Sequence, residues 1–148
     1  MNTERFLRIL AGEALELAPF LVTRNWVQRH PANKTERQFE TYLNLRKLQA
    51  DSGRVLEWWR EPVLIHIGEG CSYCPDYFAN VGGELVLFEV KGYDRPAGAV
   101  KAKAAANILA PLPVFYARKE RGRFVTERIR ALDHARIFRL SKNVKECL

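Results

Sequence analysis

Residues 84–91, ELVLFEVK, constrain this chain more than any other stretch. Side chains alternate along a strand, so residues two apart share a face. Val86, Phe88 and Val90 then lie on one face, and Leu85, Leu87, Glu89 and Lys91 on the other. The second face is apolar where the strand begins and charged where it ends. Glu89 and Lys91 therefore sit where the strand leaves the core, with Cα atoms about 7 Å apart. Gly82-Gly83 just before it reads as a hairpin turn. A strand over Tyr73–Ala79 then runs back antiparallel, and Asp76, which follows Pro75, comes beside Glu89.

The remaining elements fall around this hairpin. Phe6, Leu7, Leu10, Ala14 and Leu17 have helical spacing, which predicts a helix over residues 3–17. Pro19 interrupts it, and residues 20–29 read as a second short helix. After the break at His30-Pro31, a helix starts with Asn33 or Thr35 as N-cap and runs to Gln49. Phe39, Tyr42, Leu43 and Leu45 are its apolar positions, and Glu36 and Glu40 stand one turn apart beside them. Residues 55–59 read as extended, and Val63–Ile67 alternates as a strand. The alanine-rich segment AGAVKAKAAANILA favours a helix. Val114–Ala117 returns as a strand, RFVTERI as an edge strand, and residues 131–140 as a last helix. The expected architecture is α/β, a mixed sheet flanked by helices in the order αβββαβ. Residues 1–30 form an N-terminal helical extension, and 31–148 the main domain.

A chain of 148 residues, 47% hydrophobic, suffices for one core without disulfides or a structural metal. Its net charge of +7 favours a polyanionic partner, most simply nucleic acid. Much of the excess follows Ala117, in Arg118, Lys119, Arg121, Arg123, Arg128 and Arg130 and beyond. No segment approaches the roughly 20 apolar residues that cross a bilayer, so no membrane association is expected. Acids interrupt the apolar N-terminus, which makes a poor signal peptide. The three cysteines fit a reducing compartment, and the expected location is the cytoplasm.

Two neighbouring carboxylates repel, and one holds its proton unless a cation intervenes. Mg²⁺ answers that need, since it takes oxygen ligands and keeps several waters. Asp76, Glu89 and the Val90 carbonyl would supply oxygens, and Lys91 would stand by a phosphate oxygen. Such a set suits phosphodiester hydrolysis. By itself, Glu-x-Lys at a strand end is more often a surface ion pair of small energetic value. The preceding Pro-Asp, the hairpin and the following Gly92 shift the balance toward chemistry.

Pro75-Asp76 followed by Glu89-Val90-Lys91 resembles the PD-(D/E)xK nuclease superfamily. More closely, the chain is similar to small phage and prophage nucleases related to Holliday-junction resolvases. The likeness runs from Asn33 to Phe124. Its landmarks are Asn33-Lys34-Thr35-Glu36, Trp58-Trp59, Glu61-Pro62, Tyr73–Tyr77, Glu89–Gly92 and Val100–Ala105. The resemblance implies a restriction-endonuclease-like core and a Mg²⁺-dependent DNA endonuclease, with Mn²⁺ able to substitute. Asp76 and Glu89 would be metal ligands, Lys91 the catalytic lysine and Glu36 the helix carboxylate, with Glu40 as its rival. It also implies a 5′-phosphate product, branched or recombination-intermediate DNA as substrate, and a homodimer. If the gene is phage-borne, the compartment is the bacterial host cytoplasm. No small-molecule cofactor is implied.

Lys101 and Lys103, on the helix after the active-site strand, read equally as DNA-phosphate contacts or as a solvated helix face, and of the two the resemblance favours Lys101 as the DNA contact. Arg118 and Lys119 join them as candidate nucleic-acid contacts. Cys71 and Cys74 have zinc-ligand spacing, but no second pair completes a tetrahedral site. Trp58 and Trp59 favour packing on opposite faces of a strand. The alternative function is a non-catalytic DNA-binding or assembly protein that keeps a nuclease fold.

Overall fold

The computed structural model describes residues 21–23, 31–92, 96–110 and 112–130. The helices expected over 3–17 and 131–140 lie outside the described residues, as does most of the N-terminal extension. Chain order begins with β1 (Leu21–Thr23), followed by α1 (Lys34–Arg46), β2 (Val55–Arg60), β3 (Val63–Gly68) and β4 (Cys71–Tyr73). Next come β5 (Tyr77–Val81), β6 (Glu84–Lys91), α2 (Pro96–Leu109), β7 (Val114–Glu120) and β8 (Arg123–Ile129). The architecture is α/β. A mixed five-stranded sheet has the order β2-β5-β6-β7-β8, and a small three-stranded sheet the order β1-β3-β4. Only the β6–β7 pair is parallel within the large sheet, and α2 makes the crossover between them. Among the described residues no helix is long and apolar enough to cross a membrane.

Local chemistry sets the element ends. Asn33 caps α1: its side chain accepts from the Glu36 amide at 2.9 Å, and the Glu36 carboxylate accepts from the Asn33 amide at 2.9 Å. The helix ends at Arg46, three residues before the expected Gln49. At that point the Lys47 amide is shared between the Leu43 and Asn44 carbonyls, and Leu48 and Gln49 bond back three residues rather than four, which tightens and closes the last turn. Arg46 then reaches the Gly53 carbonyl through two guanidinium nitrogens and folds the following loop back on the helix.

Three expectations need correction. Residues 21–23 are a strand, not part of a helix, and pair antiparallel with β3 through Leu21↔Ile65 and Thr23↔Val63. Three consecutive β-prone residues, Leu-Val-Thr, prevail there over the helical spacing. The strand expected over Tyr73–Ala79 is two strands in different sheets, β4 and β5. Pro75 has no amide hydrogen for a ladder, so the chain changes sheets at Cys74-Pro75-Asp76. The strand 63–67 likewise stands outside the large sheet. Glu61, in left-handed backbone at φ 44°, and Pro62 turn the chain out of β2 and into the small sheet. The two change-over points are bonded to each other, the Glu61 amide donating to the Asp76 carbonyl at 2.8 Å.

Each face of the large sheet has its own core. On one face Trp59, Phe78, Leu85, Leu87, Val114 and Tyr116 pack against Ala102, Ala105, Ala106 and Leu109 of α2. Val63, Ile65 and Tyr73 of the small sheet complete that cluster. On the other face Phe39 and Leu43 of α1 meet Tyr77, Ala79, Val86, Phe88 and Ala117. Trp58 and Trp59 fall on opposite faces, as alternation requires.

Phe39 is fully buried, and its ring lies 5.1–5.5 Å from those of Tyr42, Tyr77, Phe88 and Phe124. It ties α1 to β5, β6 and β8. Phe39→Ala is expected to cost about 3–5 kcal/mol of unfolding free energy, whereas Leu45→Ala, 60% exposed on the same helix, should stay within about 0.5 kcal/mol of wild type. Urea unfolding of the two variants checks this.

Candidate active site

Alternation on β6 places Leu85 and Leu87 in the α2-side core and continues to Glu89 and Lys91 on the same face. Asp76 lies where the chain passes between the sheets and enters β5. The β5–β6 hairpin pairs Tyr77 with Phe88, one residue from each acid, so Asp76 and Glu89 are neighbours across the ladder. The Val90 amide, between Glu89 and Lys91, donates to Asp76 Oδ2 at 2.7 Å. The hairpin thus does what its spacing predicts.

The small sheet adds a contact that the sequence did not announce. Tyr73, the last residue of β4, donates its hydroxyl to Glu89 Oε2 at 2.5 Å. Burial, and then the Glu89 charge, raise the Tyr73 pKa well above the ordinary phenol value, so it stays a donor. Gly98 of α2 faces the other Glu89 oxygen: a Cβ there would lie 3.9 Å from Oε1. Lys91 Nζ lies 4.0 Å from the centre of the Tyr116 ring, a cation–π contact from β7. Tyr116 is itself anchored by a bond from its hydroxyl to the Ala99 carbonyl at 3.0 Å.

Both acids hold protons unusually tightly. Burial first, then the Glu89 charge, push Asp76 up to about 8, against the lowering effect of the Val90 amide. Glu36 and Glu61 add smaller raising effects. Burial pushes Glu89 up to about 7, although the Tyr73 hydroxyl and Lys91 both act to lower it. The two titrate together, so the raised proton affinity belongs to the pair.

The helix carboxylates divide their tasks. Glu36 closes the capping box, so its carboxylate points to the Asn33 amide, yet its charge acts on both Asp76 and Glu89. Glu40 accepts from the Tyr77 hydroxyl at 3.0 Å and pairs with Arg60 at 3.6 Å. Glu61 belongs beside Asp76 through its amide bond and its charge. The signal available for it was the Glu61-Pro62 pair. Its place beside Asp76 depends on the change of sheet, which period-two reading does not show.

The four basic candidates separate. Lys101 donates to the Ser72 carbonyl at 3.2 Å and braces α2 against the small sheet. Arg118 stands in register with Lys91 on β7 and bonds Glu127 at 2.8 Å. Lys119 reaches Gln38 of α1 at 2.9 Å. Lys103 is exposed beside a groove between α2 and β8. Cys71 and Cys74 are half-buried thiols, and Cys74 Sγ contacts the Pro75 carbonyl at 3.9 Å.

Among the described residues no three His, Cys, Asp or Glu side chains converge into a cage for an ion. The donor set nevertheless fits a hard divalent cation. Mg²⁺ is commonly held by one or two carboxylates with water completing the shell. A close, partly desolvated acid pair that resists joint ionisation is the arrangement such a charge relieves.

The pair makes stability depend on pH in a defined direction. The unfolded carboxyls ionise near pH 4, while the folded pair ionises near about 7 to about 8. Between these values the native state binds more protons, so the pair's contribution is complete below about pH 4 and is lost as pH rises through about 8. The melting temperature of metal-free protein is expected to fall between pH 5.5 and 8.5. Asp76→Asn should flatten that fall, and millimolar Mg²⁺ should restore the loss at pH 8.5 in wild type alone. Differential scanning calorimetry at the two pH values checks both.

No protein-family description, curated protein or solved structure matches this chain.

Proposed function

We propose that the chain is a divalent-metal-dependent DNA endonuclease of the PD-(D/E)xK kind, on a restriction-endonuclease-like core. The observation that carries this reading is a pair of half-buried carboxylates, Asp76 and Glu89, adjacent across the β5–β6 hairpin, with Lys91 on the same strand face as Glu89. A protein that only bound DNA would gain nothing from clustering two acids where phosphate approaches. The order α1-β2-β5-β6-α2-β7 in the large sheet and its helices also supports it, with β3 and β4 inserted and β8 added at the edge.

Asp76, Glu89 and the Val90 carbonyl would hold Mg²⁺ or Mn²⁺. The ion would supply positive charge to the phosphate and make a water acidic enough to attack at neutral pH. The chain's own residues do the rest. The Val90 amide and the Tyr73 hydroxyl fix one oxygen each of Asp76 and Glu89, so the carboxylates need no rearrangement when phosphate arrives. Lys91, steadied on the Tyr116 ring, keeps a positive charge beside Glu89 for the charge that develops on the phosphoryl oxygens. Glu36 keeps the start of α1 capped and adds negative charge that favours cation binding. Branched DNA and a homodimer remain part of the proposal through the family likeness.

Supercoiled plasmid, linear duplex and a four-way junction incubated with Mg²⁺ or Mn²⁺ test the reading. Wild type should cleave at least one of them and be silenced by EDTA. Asp76→Ala, Glu89→Ala and Lys91→Ala should each lower the rate by about 100-fold or more, with circular dichroism unchanged. Tight binding by wild type with no cleavage of any form would favour the non-catalytic DNA-binding alternative instead.

A further inference from the structure

A groove of about 400 Å³ runs between α2 and the end of the large sheet. Lys103 and Asn107 of α2 form one wall, Tyr116 the floor, and Glu127, Arg128 and Arg130 the other wall. Register explains its shape. Tyr116 pairs with Glu127 and Val114 with Ile129, so these side chains share the face that α2 covers. Arg128 borders the groove from the edge strand. The small side chains of α2 let the helix sit close over Val114 and leave the space beside it open toward β8.

The groove is positive. Lys103, Arg128 and Arg130 are all exposed. Its one acid, Glu127, is neutralised by Arg118 at 2.8 Å. Arg118 follows Tyr116 on the same face of β7 and stands opposite Lys91.

Tyr116 connects this groove to the candidate active site. Its ring carries Lys91 at 4.0 Å and also lines the groove, so one side chain is shared by both. We infer that the groove seats the sugar–phosphate backbone of a nucleic-acid strand, flanking the phosphate that sits at Asp76, Glu89 and Lys91. The inference names an anchoring surface for the proposed substrate and in that respect rests on the nuclease reading. Its ligand is the repeating phosphate rather than a particular base: the wall offers flexible cations and one amide. Lys103 and Arg130 contact phosphate there, whereas Lys101 and Lys119 stay with their protein partners.

Binding is measured without metal, in EDTA, by fluorescence anisotropy with a labelled duplex and a labelled four-way junction over a range of salt. Lys103→Ala/Arg130→Ala removes two exposed cations from the groove. The control is Lys47→Ala/Arg54→Ala, which removes the same charge at the C-cap of α1 and at Arg54, whose carbonyl accepts the Gly82 amide at the β5–β6 turn. The groove variant should bind about 10-fold more weakly at 0.1 M salt, and its slope of log affinity against log salt should be shallower by about 1 to 2. The control should keep at least most of the wild-type affinity and slope. Wild-type affinity and slope in the groove variant, or equal loss in the control, would overturn the inference. Cleavage does not enter this measurement. Binding through the groove by a protein that cuts nothing would leave the inference standing and remove the nuclease reading, and cleavage with unaltered binding by the groove variant would do the reverse.

Discussion

Two half-buried carboxylates held side by side are the constraint on which this structure depends. Asp76 and Glu89 are each only partly open to water, and desolvation is the largest influence on the proton affinity of both. Left alone, each would turn away or be replaced by an apolar residue. Neither is free to turn: a backbone amide holds one and a buried phenol the other. Keeping two acids there has a cost, since desolvation and the Glu89 charge raise the proton affinity of Asp76, and Lys91 offsets only part of the desolvation of Glu89. It is also localised, because Leu85, Leu87 and Trp59 just beneath are fully committed to the core.

The two-sheet architecture serves that constraint. Asp76 is the residue at which the chain passes from the small sheet to the large one, and its carbonyl accepts the Glu61 amide from the reverse passage. The small sheet is therefore more than a decoration between β2 and β5. It delivers Tyr73 to Glu89, and Lys101 ties α2 to its Ser72. The strained backbone of Glu61, at φ 44°, sits at this junction. Strain of that kind persists where surrounding contacts over-determine a conformation, and such places are often functional.

Period-two reading of ELVLFEVK placed Glu89 and Lys91 on one face and Asp76 across a hairpin, and the structure has all three relations. Strand alternation and Gly82-Gly83 are local signals, and local signals carried that far. The division of Tyr73–Ala79 between two sheets was not legible, because Cys74-Pro75-Asp76 can lie in a strand edge or end a strand, and tertiary pairing decides. Tyr73 and Tyr116 were missed for the same reason: each reaches the site from another strand. Glu36 shows the opposite case. A capping box is a strong local signal, and it claims the carboxylate that the family likeness offers to the metal. The surface cations were the least legible, since only tertiary partners separate Lys101, Arg118 and Lys119 from Lys103.

The central claim is that Asp76 and Glu89 together hold a divalent cation. Anomalous diffraction from crystals soaked in Mn²⁺ tests it most directly. The account predicts a Mn²⁺ peak within ligand distance, about 2.0–2.4 Å, of oxygens from both Asp76 and Glu89, with the Val90 amide still bonded to Asp76 and no peak in Asp76→Asn crystals. Full substitution of Mn²⁺ elsewhere on the chain, with the pair left protonated and bare at pH 8.5, would contradict it.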